Sequence, residues 1–157
     1  MGKFGTALGV MLAAGPALAD CAPGTVELRS GTGSVMRFSV EIADTAAERA
    51  QGLMNRPAIA TAAGMLFVYD APHKAQFWMR NTLIPLDLIF ADATGLVTRV
   101  HSNAVPLDAT SIDGGEGVSL VLEINGGLAK RLGVAEGAVL RSDLIDPALA
   151  IWPCTSD

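Results

Sequence analysis

From Val35 to Ala43 apolar and polar side chains alternate without a break, with Met36, Phe38, Val40 and Ile42 on one side and Arg37, Ser39 and Glu41 on the other. Successive side chains of an extended chain point to opposite faces, so a period of two means a strand with one dry face and one wet face. A helix would scatter the same residues around its axis. The chain must therefore build a sheet and then cover it. Thr25 to Ser30 reads as a partner strand across the turn Gly31-Thr32-Gly33. Further strands are expected at Gly64 to Tyr69, Gln76 to Arg80, Leu86 to Ala91, Leu96 to Ser102, Val118 to Asn125 and Ala138 to Arg141, with Asp92 to Gly95 as a tight connection. Leu107 to Gly117 reads as an irregular acidic stretch. Thr45 and Glu48 have the spacing of a capping box, which predicts a short helix to about Gln51 stopped by Gly52. A second helical turn is expected from Leu128 to Leu132, ended by Gly133. Many short strands and two brief helices give a mainly β class: a single sandwich or partly closed barrel, its strands following one another as a meander.

The first residues belong to a different pattern. Lys3 precedes an apolar run from Phe4 to Ala14, followed by Gly15-Pro16 and the small-residue triplet Ala17-Leu18-Ala19. That is the order of a secretory signal peptide, and the run falls well short of the ~20 residues a spanning helix needs. Cleavage is expected after Ala19, leaving residues 20 to 157 as one exported domain, periplasmic or secreted, with no stable membrane anchor. Asp20, directly before Cys21, argues against lipid attachment there. Cys21 and Cys154 are the only cysteines, and an oxidising compartment would pair them. Their bond would tie the two ends of the mature chain, worth on the order of 4 to 5 kcal/mol on chain entropy alone.

Charge narrows the partners. With 11 Lys+Arg against 16 Asp+Glu, the formal net charge is -5, the wrong sign for holding a phosphate backbone, so nucleic acid is not expected as a partner.

The densest stretch runs from Phe77-Trp78-Met79-Arg80-Asn81 through Pro85-Leu86-Asp87-Leu88 to Phe90, with Gly64-Met65-Leu66-Phe67 before it. Glu48-Arg49-Ala50-Gln51-Gly52-Leu53-Met54-Asn55-Arg56 lies upstream and Leu122-Glu123-Ile124-Asn125-Gly126-Gly127 downstream. Together these blocks resemble the domain-of-unknown-function family 192, often exported, over roughly Val35 to Arg141. The resemblance implies a compact β-rich domain and no particular activity, so function rests on the site itself.

Within those blocks the polar residues stand out. A strand from Gln76 onward would put Gln76, Trp78 and Arg80 on one face and Phe77 and Met79 on the other. Trp78 beside an amide and a guanidinium suits stacking of a flat polar ligand. Asp87 and Glu123 sit inside apolar runs, and each needs a partner there; Arg49, Arg56 and Arg80 are the available forks. Arg49, Arg56, Trp78, Arg80, Asn81, Asp87 and Glu123 are thus the expected ligand-binding set. Other chemistry finds little footing. There is no Gly-x-Ser-x-Gly, and neither His73 nor His101 has a neighbouring acid or metal-spaced partner. Met54, Met65 and Met79 with His73 could offer soft ligands to copper, but core packing explains them as well. The expected function is binding of a small polar or anionic molecule, such as a saccharide, without turnover, cofactor or metal. The competing classes are a hydrolase using Asp87 and Glu123, and an envelope interaction or assembly factor.

Overall fold

A computed structural model describes residues 21–154; the expected signal peptide lies outside the described residues. The elements in chain order are β1 (Thr25–Arg29), β2 (Val35–Ala43), α1 (Ala46–Gln51), β3 (Ala63–Phe77), β4 (Leu86–Ala91), β5 (Val97–Ala104), β6 (Ile112–Asn125), α2 (Leu128–Leu132) and β7 (Val139–Arg141). All seven strands join one sheet in the order β5-β4-β6-β3-β2-β1-β7. The sheet curls until its edges nearly meet: Leu96 bridges Val139, and Leu140 N–H donates to the carbonyl of Gly95 at 2.8 Å. The result is the partly closed barrel expected of the sequence, mainly β with two short helices. Cys21 and Cys154 are bonded with their Cα atoms 5.6 Å apart, which ties the two ends across the same molecule.

The strand path corrects the meander. β1–β2 and β4–β5 are antiparallel neighbours, but β2 pairs with β3 in parallel, and β6 inserts between β3 and β4. A parallel pair needs a crossover, and α1 with the loop behind it supplies one. The stretch Gly64 to Tyr69 and the first two residues of the expected strand Gln76 to Arg80 prove to be parts of one element, β3, which ends at Phe77 and keeps pairing with β6 through three register shifts, while Trp78 to Arg80 lie beyond it. Of the acidic stretch expected to be irregular, Leu107 to Ser111 is so, but from Ile112 onward it is the start of β6, where Phe77 faces Ile112 and Gln76 faces Asp113. Its Gly114 is required by packing, since a Cβ there would lie 2.3 Å from the Phe90 ring.

Two apolar clusters cover the two faces of this sheet. All seven strands contribute to the inner one, from Val26 and Leu28 on β1 through Ile89 on β4 and Leu122 on β6 to Leu140 on β7. The outer one is built on Met65, Phe67, Leu88, Phe90 and Val121 and is roofed by Leu53, Met79 and Ile84 from the connections. Met65 and Met79 are spent on that packing, and His73 Nδ1 lies 2.8 Å from the Val118 carbonyl.

Candidate functional site

Register decides which face each acid takes. Glu123 on β6 lies level with Met65 on β3 and Leu88 on β4, so it joins the outer face in an otherwise apolar row. Asp87 on β4 lies level with Ile124 and so belongs to the inner face. The two carboxyls therefore stand on opposite sides of the sheet, which removes the geometry a hydrolytic pair would need.

Their surroundings differ as much as their faces. Asp87 is fully buried and accepts three backbone hydrogen bonds, from Asn103 N–H at 2.6 Å, Gly127 N–H at 2.8 Å and Ala129 N–H at 2.6 Å. It pins β5 and the start of α2 to β4, and no arginine is involved. Glu123 is 5% exposed and makes no side-chain hydrogen bond or ion pair among the described residues. Burial alone pushes its carboxyl up to about 8. The expectation that an arginine would neutralise each acid thus fails at both, for opposite reasons.

Above Glu123 opens a recess of about 120 Å3, walled by α1 and the residues after it, by Phe67 and Tyr69, by Gln76 to Trp78 and by Thr82. Local sequence explains the wall. Thr45 Oγ1 accepts from Glu48 N–H at 3.2 Å, and the Glu48 carboxylate accepts from Thr45 N–H at 3.0 Å, so the capping box fixes the first turn of α1. Gly52, at φ 48°, ends the helix over the Phe67 ring. Between them Arg49 reaches across to β3, where Nη1 donates to the carbonyl of Val68 at 2.8 Å and also to that of Asp44. Its guanidinium lies 4.9 Å over the Tyr69 ring. Burial raises the Tyr69 hydroxyl above its usual range, against the pull of Arg49 and with a smaller push from Glu123.

Trp78 follows the end of β3, half exposed, with Arg80 stacked 4.6 Å over its ring. Strand alternation stops at Phe77, and Met79 turns inward to the outer core while its N–H donates to the Asp108 carbonyl.

Of the seven expected residues the recess brings together Arg49, Trp78 and Glu123. Arg80 stands at its rim through Trp78. The other three lie elsewhere. Arg56 forms a two-pronged pair with Glu41 on β2 and lines a neighbouring hollow, and its hydrogen bonds hold the Glu41 carboxyl below its ordinary range. Asn81 is exposed and contributes its backbone: at φ 55° it offers its carbonyl to Asn55 N–H at 2.8 Å. Asp87 is on the inner face. Gln76, read from the sequence as the amide beside Trp78 but left out of the seven, lines the recess as well, and the sequence reading missed Tyr69 and Thr82 as members of the site. Tyr69 is the chain's only tyrosine and closes an apolar strand, which was the available signal.

A family model, DUF192, described as an uncharacterized ACR, matches residues 27–142. The chain belongs to this family. A crystal structure from Sinorhizobium meliloti 1021, provisionally named a transcription regulator, is 39% identical with a TM-score of 0.73, over 79% of this chain and 96% of that one. A protein of unknown function from Novosphingobium aromaticivorans DSM 12444 is 40% identical with a TM-score of 0.71, over 84% of this chain and 98% of that one. No curated protein matches this DUF192 chain.

Proposed function

We propose that this DUF192 protein works as an exported binding domain, holding a small polar molecule in the recess above Glu123 without transforming it. The observation that carries the reading is the bare carboxyl itself. A buried polar group left without a partner costs stability, by about 1 to 3 kcal/mol for an ordinary group, and the cost has a use where a ligand supplies the missing hydrogen bonds. Around it Tyr69 and Trp78 offer aromatic surface, and Arg49, Gln76 and Thr82 offer donors. At about 120 Å3 the recess is small beside the ~300 to 1,000 Å3 of sites for drug-sized ligands, so the occupant is a molecule of few heavy atoms or one end of a larger one such as a saccharide. The Cys21–Cys154 bond supports an oxidising compartment, and the segment before it supports export. A role in transcription, which the provisional name of the Sinorhizobium relative carries, gains no support from a net charge of -5.

Native mass spectrometry of the purified protein, with thermal-shift measurements against saccharides and organic acids, tests this. A retained small molecule or a saturable rise in melting temperature, lost in Trp78→Ala, is expected. A protein that never retains a molecule and melts identically with every compound would overturn the reading.

A further inference from the structure

We infer that the recess takes a small carboxylate, its oxygens received by the Arg49 guanidinium and by the donors of Tyr69, Gln76 and Thr82, with Glu123 beneath them. This rests on the recess being a ligand site, as proposed above, and narrows its chemistry.

The three forks expected from the sequence are not equivalent. Arg56 is taken by Glu41, and Arg80 lies on Trp78 at the rim. Arg49 alone lines the recess, and its anchorage to the carbonyls of Asp44 and Val68 uses only Nη1. Nε and Nη2 have no hydrogen-bond partner among the described residues, and they form the edge of the guanidinium that matches a carboxylate. The titratable groups facing Glu123 are Arg49 from α1 and Tyr69 from β3, while β4 presents Leu88 and the segment after β3 presents Thr82 and Trp78. The lining is thus rich in donors and holds a fixed positive charge, which repels an ammonium ligand.

Glu123 fits this ligand in one protonation state. Burial, with its carboxyl pushed up to about 8, keeps it protonated at neutral pH, where it donates an O–H to the incoming anion. Such O–H···O⁻ bonds are short and strong. Once ionised, Glu123 would face a second negative charge across the recess and expel it. Tyr69, with its hydroxyl raised above its usual range, stays protonated from pH 6 to 9, so the pH response belongs to Glu123.

The test is calorimetric titration of the disulfide-bonded protein with lactate, acetate, ethylammonium and glucose at pH 6 and pH 9. The Trp78 indole N–H signal is followed by NMR, with Trp152 as an internal control. Lactate or acetate is expected to shift Trp78 and not Trp152, and to bind about tenfold more tightly at pH 6 than at pH 9, as loss of the Glu123 proton above about 8 requires. Glu123→Gln, which keeps a donor, should bind without that pH dependence. Arg49→Ala should lose at least tenfold in affinity, and if it fails to fold, Arg49→Lys, which keeps charge but not the fork, should still weaken binding. Ethylammonium binding that strengthens with pH, or glucose binding while neither acid does, overturns the carboxylate and leaves the recess a ligand site. If the Trp78 signal moves with none of the four, the carboxylate inference falls, and retained molecules in native mass spectrometry then decide the broader reading separately.

Discussion

Glu27 and Glu123 are both buried in the same sheet, and the sheet treats them in opposite ways. Glu27 on β1 lies level with Arg37 on β2 and Arg141 on β7. Arg37 donates to it at 2.6 Å and 3.1 Å and Arg141 Nε at 2.7 Å, and Arg141 in turn stacks 4.4 Å over Trp152. Burial pushes the Glu27 carboxyl up, but the hydrogen bonds and charges of the two arginines outweigh it and hold the carboxyl below its ordinary range. Glu123 has Met65 and Leu88 in the corresponding places, and burial acts on it unopposed. An acid with cations in its own row holds strands together. One with apolar neighbours and an open recess above it does nothing for the fold, which is why its purpose is sought in binding.

The largest expected effect is at the paired acid. Glu27→Gln leaves Arg141, 3% exposed, without its counter-charge and should cost about 3 to 5 kcal/mol in a urea titration at pH 7. Glu123→Gln should cost nothing there or stabilise, and equal losses at the two sites would dissolve the contrast. Next comes the inner-face acid. Asp87→Asn keeps the shape but turns a donor toward a backbone N–H, for an expected loss of about 2 to 3 kcal/mol by the same assay. A near-neutral result would mean that the three N–H groups find other partners.

The pH dependence separates the two glutamates by sign. Glu123 has a folded value of about 8, raised from 4.5, so its contribution is fully present below pH 4.5 and is lost as pH rises toward 8, at up to about 1.4 kcal/mol per pH unit. Glu27, lowered, contributes above 4.5 and loses that contribution as pH falls through its folded value. Stability measured against pH should therefore fall from mildly acidic to alkaline conditions, and Glu123→Gln should flatten that limb while leaving the acid limb intact. Smallest of all, Arg56→Ala breaks a largely exposed pair and should cost about 1 kcal/mol or less, declining further in high salt. A larger loss would show that the pair beside the Glu41 hollow holds the fold together.

What could be read from the residues followed locality. The capping box at Thr45 and Glu48, the strand from Val35 to Ala43 and the turn of helix ended by Gly133 all emerged where expected, because each is fixed by residues a few positions apart. The parallel β2–β3 pair and the insertion of β6 between β3 and β4 were not legible, because they depend on contacts between segments far apart in sequence. The same limit governed the site. Arg49, Trp78 and Glu123 were visible as polar residues in apolar surroundings, yet nothing local says that Asp87 and Glu123 face opposite ways. That parity exists only once Leu88, and not Asp87, lies level with Glu123.

Glu123 is a buried carboxyl with no partner of its own among the described residues. Carboxyl-carbon NMR across a pH titration, with the signal assigned by its loss in Glu123→Gln, measures this directly. A midpoint near 8 is expected in the ligand-free protein. A midpoint at the ordinary 4.5 of an exposed glutamate would contradict it.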